Sequence, residues 1–578
     1  MASPFNVPDE FVLGFFKSGQ RLAQAFAGTG GAGALPQAIA AASQLGNAQA
    51  HYWQQQTALW MGMLASAGGM AGGQRREPVV TPERGDRRFS AEGWHDSPWY
   101  SLLEETYLLN SRLLADMVES AALDDKEKHK LRFFARQFID SMSPANFPGT
   151  NPESLKLAIE SKGESLRSGF ANLLEDLKRG RIAITDETAF EVGRNVAVSA
   201  GSVVFENELL QLIQYAPLTE QVAERPLLIV PPCINKFYIL DLQPDNSLVR
   251  FACEQGQTVF LVSWRNADAA MARTTWEDYV ESGAMKAIEV TLAISRANKL
   301  NVVGWCVGST ILSSALAVLR ARGDDSVASL TLLTSMLDFR DPGDLGIFID
   351  EQGVAQKEQP IGQGGLYSGK ELGFVFQTLR ANDLIWPYVV SNYLKGQAPK
   401  AFDLLYWNAD STNPPGPMYA WYLRNTYLEN NLCVPNRLTL CGSGVDIGRI
   451  DMPSYVLATQ EDHIVPWRSA YRSTLLFGGK TQFVLGASGH IAGVINPASK
   501  NKRSYWIDGT LGDDPEAWLA SAKAMPGSWW THWMPWLKTH AGKAVAAPKR
   551  MGNAAHDPIE PAPGRYVKVR GDGVESTL

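Results

Sequence analysis

The chain is short of cysteine, of surplus basic charge and of long apolar runs, and each shortage excludes a class of protein. Five cysteines among 578 residues (Cys233, Cys253, Cys306, Cys433 and Cys441) make an odd count with no C-x-x-C pair. That argues against a disulfide framework and fits a reducing compartment. No histidine–cysteine cluster has zinc-ligand spacing, so no structural metal is expected. With 53 Lys and Arg against 60 Asp and Glu, the formal charge of -7 argues against a general nucleic-acid binder and leaves any phosphate site to a local basic cluster. No uninterrupted apolar run approaches the length of a spanning helix. The opening "MASPFNVPDEFVLGFF" lacks the basic region of a signal peptide and carries Asp9 and Glu10 just before its apolar residues. A soluble, cytoplasmic protein is expected, one that meets any hydrophobic phase from its surface.

What the chain does have is a change of pattern part-way along. Residues 1–195 read as a mostly helical N-terminal domain. Two Gly/Ala-rich passages, "AGTGGAGALPQAIAAA" and "SAGGMAGGQRREP", punctuate its first eighty residues and suggest weakly ordered linkers. From Trp99 to Gly180, "WYSLLEETYLLNSRLLADMVESA", "KHKLRFFARQFIDSM" and "SLKLAIESKGESLRSGFANLLEDLKRG" carry helical periodicity. Further on, "RPLLIVPP", "QTVFLVSW", "LNVVGW", "SLTLLTSML", "MPSYVLAT" and "TQFVLGAS" are short, continuous apolar runs, the later ones separated by helical stretches. That alternation predicts a parallel sheet covered on both faces. Residues 196–578 are thus an expected catalytic domain of the α/β class. The stretch 338–452, rich in aromatic residues, Gly and Pro, interrupts the sheet and is expected to form an inserted cap.

The run Asn301-Val302-Val303 leads into Gly304-Trp305-Cys306-Val307-Gly308 and then into "STILSSALAVLRARG". Strand, G-x-nucleophile-x-G, helix is the nucleophile elbow of α/β-hydrolases, with cysteine where serine usually stands. Its partners should follow in the order acid, histidine, each on a loop after a strand. "VLATQEDHIVPW" supplies Asp462 and "FVLGASGHIAGVINP" supplies His490. In that arrangement His490 takes the thiol proton and Asp462 fixes the imidazole. The Val307 amide is one oxyanion donor, and the loop after "LLIVPP" should supply a second, assigned to Ile234. His463 is the competing base, but it is adjacent to Asp462 and cannot easily point at it. Cys233 reads as a small buried side chain, Glu461 as a solvated or helix-start carboxylate, Trp305 as packing or a wall of the acyl pocket, and the tryptophan-rich "SWWTHWMPWLKTH" as core or interface. Arg380, in "FQTLRANDLIW", is either a salt-bridged structural residue or a cationic fork for a phosphate-bearing substrate.

Together with "DRRFSAEGW", "ANFPGTNPE", "PPCINKFYILDL", "LRANDLIWPYVVSNYLKG" and "IEPAPGRYVKVR", these strings resemble the class I polyhydroxyalkanoate synthases over nearly the whole chain. The resemblance implies polymerisation of (R)-3-hydroxyacyl-CoA, with short side chains preferred, on a triad carried by Cys306, Asp462 and His490. It implies no cofactor, since the CoA thioester is the substrate. It also implies a homodimer, a mobile cap, an N-terminal domain involved in attachment to polyester granules, and His463 and Arg380 as contacts of the CoA moiety. The first eighty residues carry none of these strings. Two other readings stay open: a cysteine-elbow polyester depolymerase or thioesterase, and a non-catalytic granule-coat protein.

Overall fold

The computed structural model describes residues 11, 14, 17–21, 35–67 and 77–571. The glycine-rich parts of both expected linkers lie outside them. The alanine-rich part of the first does not: helix α1 (Leu35–Ala67) already begins at Leu35, inside the passage expected to be linker. Alanine is the strongest helix former, which accounts for a helix over the alanine-rich part. Two compact units emerge, Met1–Asp186 with Phe374–Lys400, and Glu187–Gly373 with Ala401–Leu578.

In the helical unit, α1 is followed by α2 (Pro98–Ser120), α3 (Asp125–Ser141), α4 (Pro152–Glu160) and α5 (Glu164–Arg179). Their starts are written locally: Asp124 accepts a hydrogen bond from the Glu127 amide, and Asn151, just before Pro152, from that of Ser154. Leu59, Phe89, Trp94, Leu102 and Leu109 form the core. Beside it the Arg88 guanidinium pairs with Asp86 at 2.8 Å and Asp140 at 3.3 Å.

Phe374–Lys400 falls in the middle of the expected cap, yet it belongs to this unit, and its hydrogen bonds show why. The Ser154 hydroxyl donates to the Leu394 carbonyl at 3.0 Å and the Asn172 amide to that of Asn392 at 2.9 Å. The Tyr393 hydroxyl donates to Asp176 at 2.8 Å, and Lys395 pairs with Glu153 at 2.8 Å. Gly169 on α5 permits the closest approach, for a Cβ there would sit 1.8 Å from the Tyr393 carbonyl oxygen.

The catalytic unit is built on an eleven-stranded sheet. Its strands are β1 (Gly201–Glu206), β2 (Leu210–Tyr215), β3 (Leu227–Val230), β4 (Val259–Trp264), β5 (Leu300–Trp305), β6 (Val327–Leu333), β7 (Ser454–Thr459), β8 (Thr481–Gly486), β9 (Ser504–Ile507), β10 (Lys523–Pro526) and β11 (Glu560–Pro561). The order is β10-β9-β8-β7-β6-β5-β3-β4-β2-β1-β11. The stretch from β8 to β4 is parallel, and its members are the six apolar runs seen in the sequence. Antiparallel strands extend it on both sides. The runs are continuous because both faces are covered: Leu228, Val230, Phe260 and Val302 enter one core, while Leu227, Ile229, Val259 and Val303 enter the other. Helix α6 (Val307–Ala321) packs on the first face through Ile311, Leu312, Ala315 and Val318. At roughly 1.5–3 kcal/mol per buried aliphatic side chain, this two-sided burial is what holds the strand ends in place.

Candidate active site

Cys306 occupies the single residue between β5 and α6, with φ 50° and ψ -129°. A side chain there costs on the order of 1–3 kcal/mol of backbone strain, which only the packed strand and helix on either side can impose. The flanking glycines are required sterically. A Cβ on Gly304 would lie 2.6 Å from the Ser309 Cα, and one on Gly308 would lie 2.4 Å from the Pro231 carbonyl oxygen. The turn is tied down by the Cys306 amide donating to Leu333 at 3.0 Å and by the Ser309 amide donating to the Cys306 carbonyl at 2.9 Å. Cys306 is half-buried. Burial pushes the other thiols up, Cys233 and Cys433 in direction, Cys253 to about 12 and Cys441 to about 11, which disfavours all four as thiolates.

Asp462 and His490 leave the carboxyl ends of the neighbouring parallel strands β7 and β8. One Asp462 oxygen accepts from the Ile464 and Val465 amides, both at 2.9 Å, and the other meets His490 Nδ1 at 2.7 Å. Both side chains are buried. Burial works against a charged imidazole, but the charge and hydrogen bond of Asp462, with those of Cys306, outweigh it and push His490 up to about 10. The histidine is thus set to hold a proton taken from the cysteine.

Val307 opens α6, so its amide is one of those a helix start leaves without an intrahelical acceptor. Ile234 lies on the loop after β3, whose Pro231 backbone touches Gly308. Thr412 secures that loop, its hydroxyl donating to the Cys233 carbonyl at 2.7 Å and its amide to that of Ile234 at 3.4 Å. His463 is half-buried beside Asp462, whose carboxylate meets the ring of His490. Arg380 lies in the helical unit, where its guanidinium pairs with Asp383 at 2.8 Å. Trp305 is buried and donates to the Thr334 hydroxyl at 2.8 Å, and Glu461 is exposed.

Two groups of residues near the site escape sequence reading. The indoles of Trp529 and Trp530 donate to the Val494 carbonyl at 3.0 and 2.9 Å, fixing the loop that carries His490. Tyr422 and Tyr427, from the part of the cap that stays in this unit, pack edge to face with ring centroids 5.6 Å apart, and burial pushes both phenols up. A spacing of five between tyrosines matches no helix or strand period, so nothing in the sequence marks them as sharing a face.

A cysteine elbow, with a carboxylate–imidazole pair at the ends of the next strands of a parallel sheet, places the chain among proteins built on the α/β-hydrolase plan. The family described as "alpha/beta hydrolase fold" matches residues 226–497, and "Poly-beta-hydroxybutyrate polymerase (PhaC) N-terminus" matches residues 85–252. The chain is 54% identical to "Poly(3-hydroxyalkanoate) polymerase subunit PhaC" of Cupriavidus necator, over 94% of this chain and 92% of the relative. It is 42% identical to the protein of the same description in Rhizobium meliloti, over 87% of this chain and 82% of that one. It is also 42% identical to "Poly(3-hydroxyalkanoate) polymerase" of Methylorubrum extorquens, over 90% and 86%. The chain belongs to the poly(3-hydroxyalkanoate) polymerase family, and polyhydroxyalkanoate synthesis is its activity.

Proposed function

We propose that this polymerase works through a thioester on Cys306, drawing (R)-3-hydroxyacyl units with short side chains from CoA. The observation that carries the reading is the strained elbow, which presents Cys306 beside a histidine held by Asp462 at 2.7 Å. In the first half-reaction His490 accepts the thiol proton and the thiolate attacks the acyl-CoA carbonyl. The Val307 and Ile234 amides receive the developing oxyanion, and CoA leaves with the proton from His490. In the second, His490 deprotonates an incoming 3-hydroxyl, which attacks the acyl group and expels Cys306. Sulfur suits this sequence: acylation exchanges one thioester for another at little thermodynamic cost, and the enzyme thioester stays reactive toward a hydroxyl. A serine would fall to an oxygen ester before chain transfer.

His463 and Arg380 belong to the proposal as contacts for the CoA moiety, and a homodimer as its working form. Attachment to the polyester is assigned to the helical unit. Its support is an exposed apolar row on α4 and α5 formed by Leu155, Ile159, Leu166, Phe170 and Leu174. The deciding experiment is incubation with (R)-3-hydroxybutyryl-CoA, following CoA release and product. Polymer with CoA release supports the reading, whereas free 3-hydroxybutyrate makes the enzyme a thioesterase. CoA release that survives Cys306→Ala removes the elbow from the mechanism.

A further inference from the structure

Two strings that stand out in the sequence, "PPCINKFYILDL" and "IEPAPGRYVKVR", supply no member of the triad, and the fold joins them. The first opens with the loop after β3, residues 231–236, whose carbonyls are bonded from residues 407–412. Those of Cys233 and Ile234 accept from Thr412, and that of Lys236 accepts from the Trp407 indole at 2.6 Å. The Ile234 amide, by contrast, donates to no acceptor among the described residues. Backbone N–H groups are strong donors, so a loop tied by its carbonyls leaves this one available to a ligand. The loop also abuts the elbow, since a Cβ on Gly308 would lie 2.4 Å from the carbonyl oxygens of both Val230 and Pro231.

The second string runs into a strap of three successive backbone carbonyls. That of Val569 accepts from Lys236 Nζ at 2.5 Å, that of Arg570 from the Asn266 side chain at 3.3 Å, and that of Gly571 from the Asn413 side chain at 3.0 Å. Val567 is buried and Arg570 pairs with Glu187 at 3.1 Å, so the strap is seated on both sides of Val569. The Val569 side chain is exposed, so its backbone does the holding. Lys236 is 2% exposed, and hydrogen bonds must offset the lost hydration of so buried an ammonium. Asn413 closes the circuit: its backbone amide donates to the Asn266 side chain at 2.9 Å, and it directly follows Thr412. The loop is therefore held to the strap twice, through Lys236 and through Thr412 and Asn413.

We propose that Lys236 is a positioning residue for polymerisation: anchored on the Val569 carbonyl, it holds the Ile234 amide where that amide and the Val307 amide receive the oxyanion. The proposal rests on the reading of Ile234 as oxyanion donor. In acylation the bond from Cys306 sulfur to the acyl carbon forms and a carbonyl electron pair moves onto oxygen. The pair returns as the bond to the CoA sulfur breaks. In chain transfer the same carbon passes from Cys306 to the alcohol oxygen through a second oxyanion. Lys236 gains and loses no proton and touches no reacting atom. The C-terminal strap thereby becomes part of the frame of the active site.

The test compares two reactions of Cys306 in the full chain. CoA release from (R)-3-hydroxybutyryl-CoA passes through an oxyanion. Alkylation by iodoacetamide, followed at Cys306 by mass spectrometry, displaces iodide from a saturated carbon and forms none. Lys236→Met keeps the buried stem and removes the donor. It should lower kcat for CoA release about a hundredfold, the scale at which a 1 Å misplacement is felt, with KM and the alkylation rate unchanged. Gly571→Val reaches the strap from its far end, for a Cβ there would lie 2.6 Å from the Ser411 carbonyl oxygen. It should lower kcat in the same selective way by less, and the two changes together should cost less than the product of their separate effects. An unchanged kcat in Lys236→Met overturns the proposal. So does an alkylation rate that falls in step with kcat in both variants, because the strap then serves only the fold. Ile234→Pro removes the candidate donor itself. If that variant releases CoA like its parent, the oxyanion reading fails and the proposal fails with it. If it is impaired while Lys236→Met is not, the oxyanion reading stands and Lys236 alone is struck.

Discussion

In the catalytic unit the large exposed apolar residues, among them Leu218, Leu475 and Leu511, stand far apart in the sequence, whereas those of the helical unit fall into rows. On α5, Leu166, Phe170 and Leu174 recur at four-residue spacing, and on α4 Leu155 and Ile159 do the same. Scattered exposure is ordinary for a folded surface, and contiguous exposure marks an interaction site. The difference teaches a division of labour. One unit spends its apolar residues on rigidity, holding a strained cysteine at a strand end. On the attachment proposed above, the other leaves part of its apolar surface for contact with an insoluble product.

The sharpest way to break this comparison is at the elbow. Cys306→Ala should lower turnover by roughly a millionfold, the scale seen when a nucleophile is removed from a triad. The fold should survive, as far-UV circular dichroism and an unchanged melting curve would show. Cys306→Ser should do little better, since a hydroxyl is much harder for His490 to deprotonate. Polymer formation by either variant at more than trace level would mean that rigidity at this turn serves something other than catalysis.

Next in size is Asp462→Asn. Removing the equivalent charge from a serine-protease triad costs about ten-thousand-fold in turnover. Here the loss should fall on chain transfer, because a thiol with a reference pKa of about 8.5 gives up its proton far more easily than an alcohol does. Rapid mixing with substrate should release at most one CoA per site and leave an acyl group on Cys306. If mass spectrometry finds Cys306 unmodified, acylation is the step that needs the aspartate.

The two units were also unequally legible in the sequence. The six apolar runs could be read because their strands are buried on both faces and therefore plainly apolar, and the candidate residues Cys306, Asp462 and His490 stand out because each follows such a strand. Strands β1 and β2 were not foreseen. Their "GSVVFENELLQLIQY" mixes polar residues such as Glu206 and Gln211 into the run, and antiparallel pairing near a sheet margin leaves little periodic trace. Nor was the place of Phe374–Lys400, because its ties to the helical unit are single polar contacts across more than 200 positions, such as Asn172 with Asn392. Tyr422 and Tyr427 were hidden by a turn of unusual width.

The close approach of Gly169 to Tyr393 offers a smaller lever, aimed at the helical unit alone. Gly169→Leu forces a side chain against the Tyr393 carbonyl, where even a Cβ has no room. Overpacking of this kind costs about 1–3 kcal/mol, and displacing backbone pushes toward the upper end. Limited proteolysis should then open the helices first, while Cys306 keeps its alkylation rate. If Cys306 reactivity collapses together with the helices, the two units do not divide their work as described.

The smallest effect concerns the exposed rows. Ile159 is 70% exposed and Phe170 is 62% exposed, so replacing them by aspartate removes almost no packing from the folded unit. Surface changes of this sort shift stability by at most about 0.5 kcal/mol in either direction. Against a polyester surface the account differs. Covering the exposed part of each side chain returns at least about 1 kcal/mol at roughly 25 cal/mol per Å², or about fivefold in partition for each residue. A buried carboxylate would add a desolvation cost on top. Ile159→Asp with Phe170→Asp should therefore keep the initial rate of CoA release on soluble substrate and shed the protein from washed polyester granules by well over tenfold. A variant that still sediments with the granules like its parent would show that attachment lies on another surface, and that the rows on α4 and α5 meet some other partner.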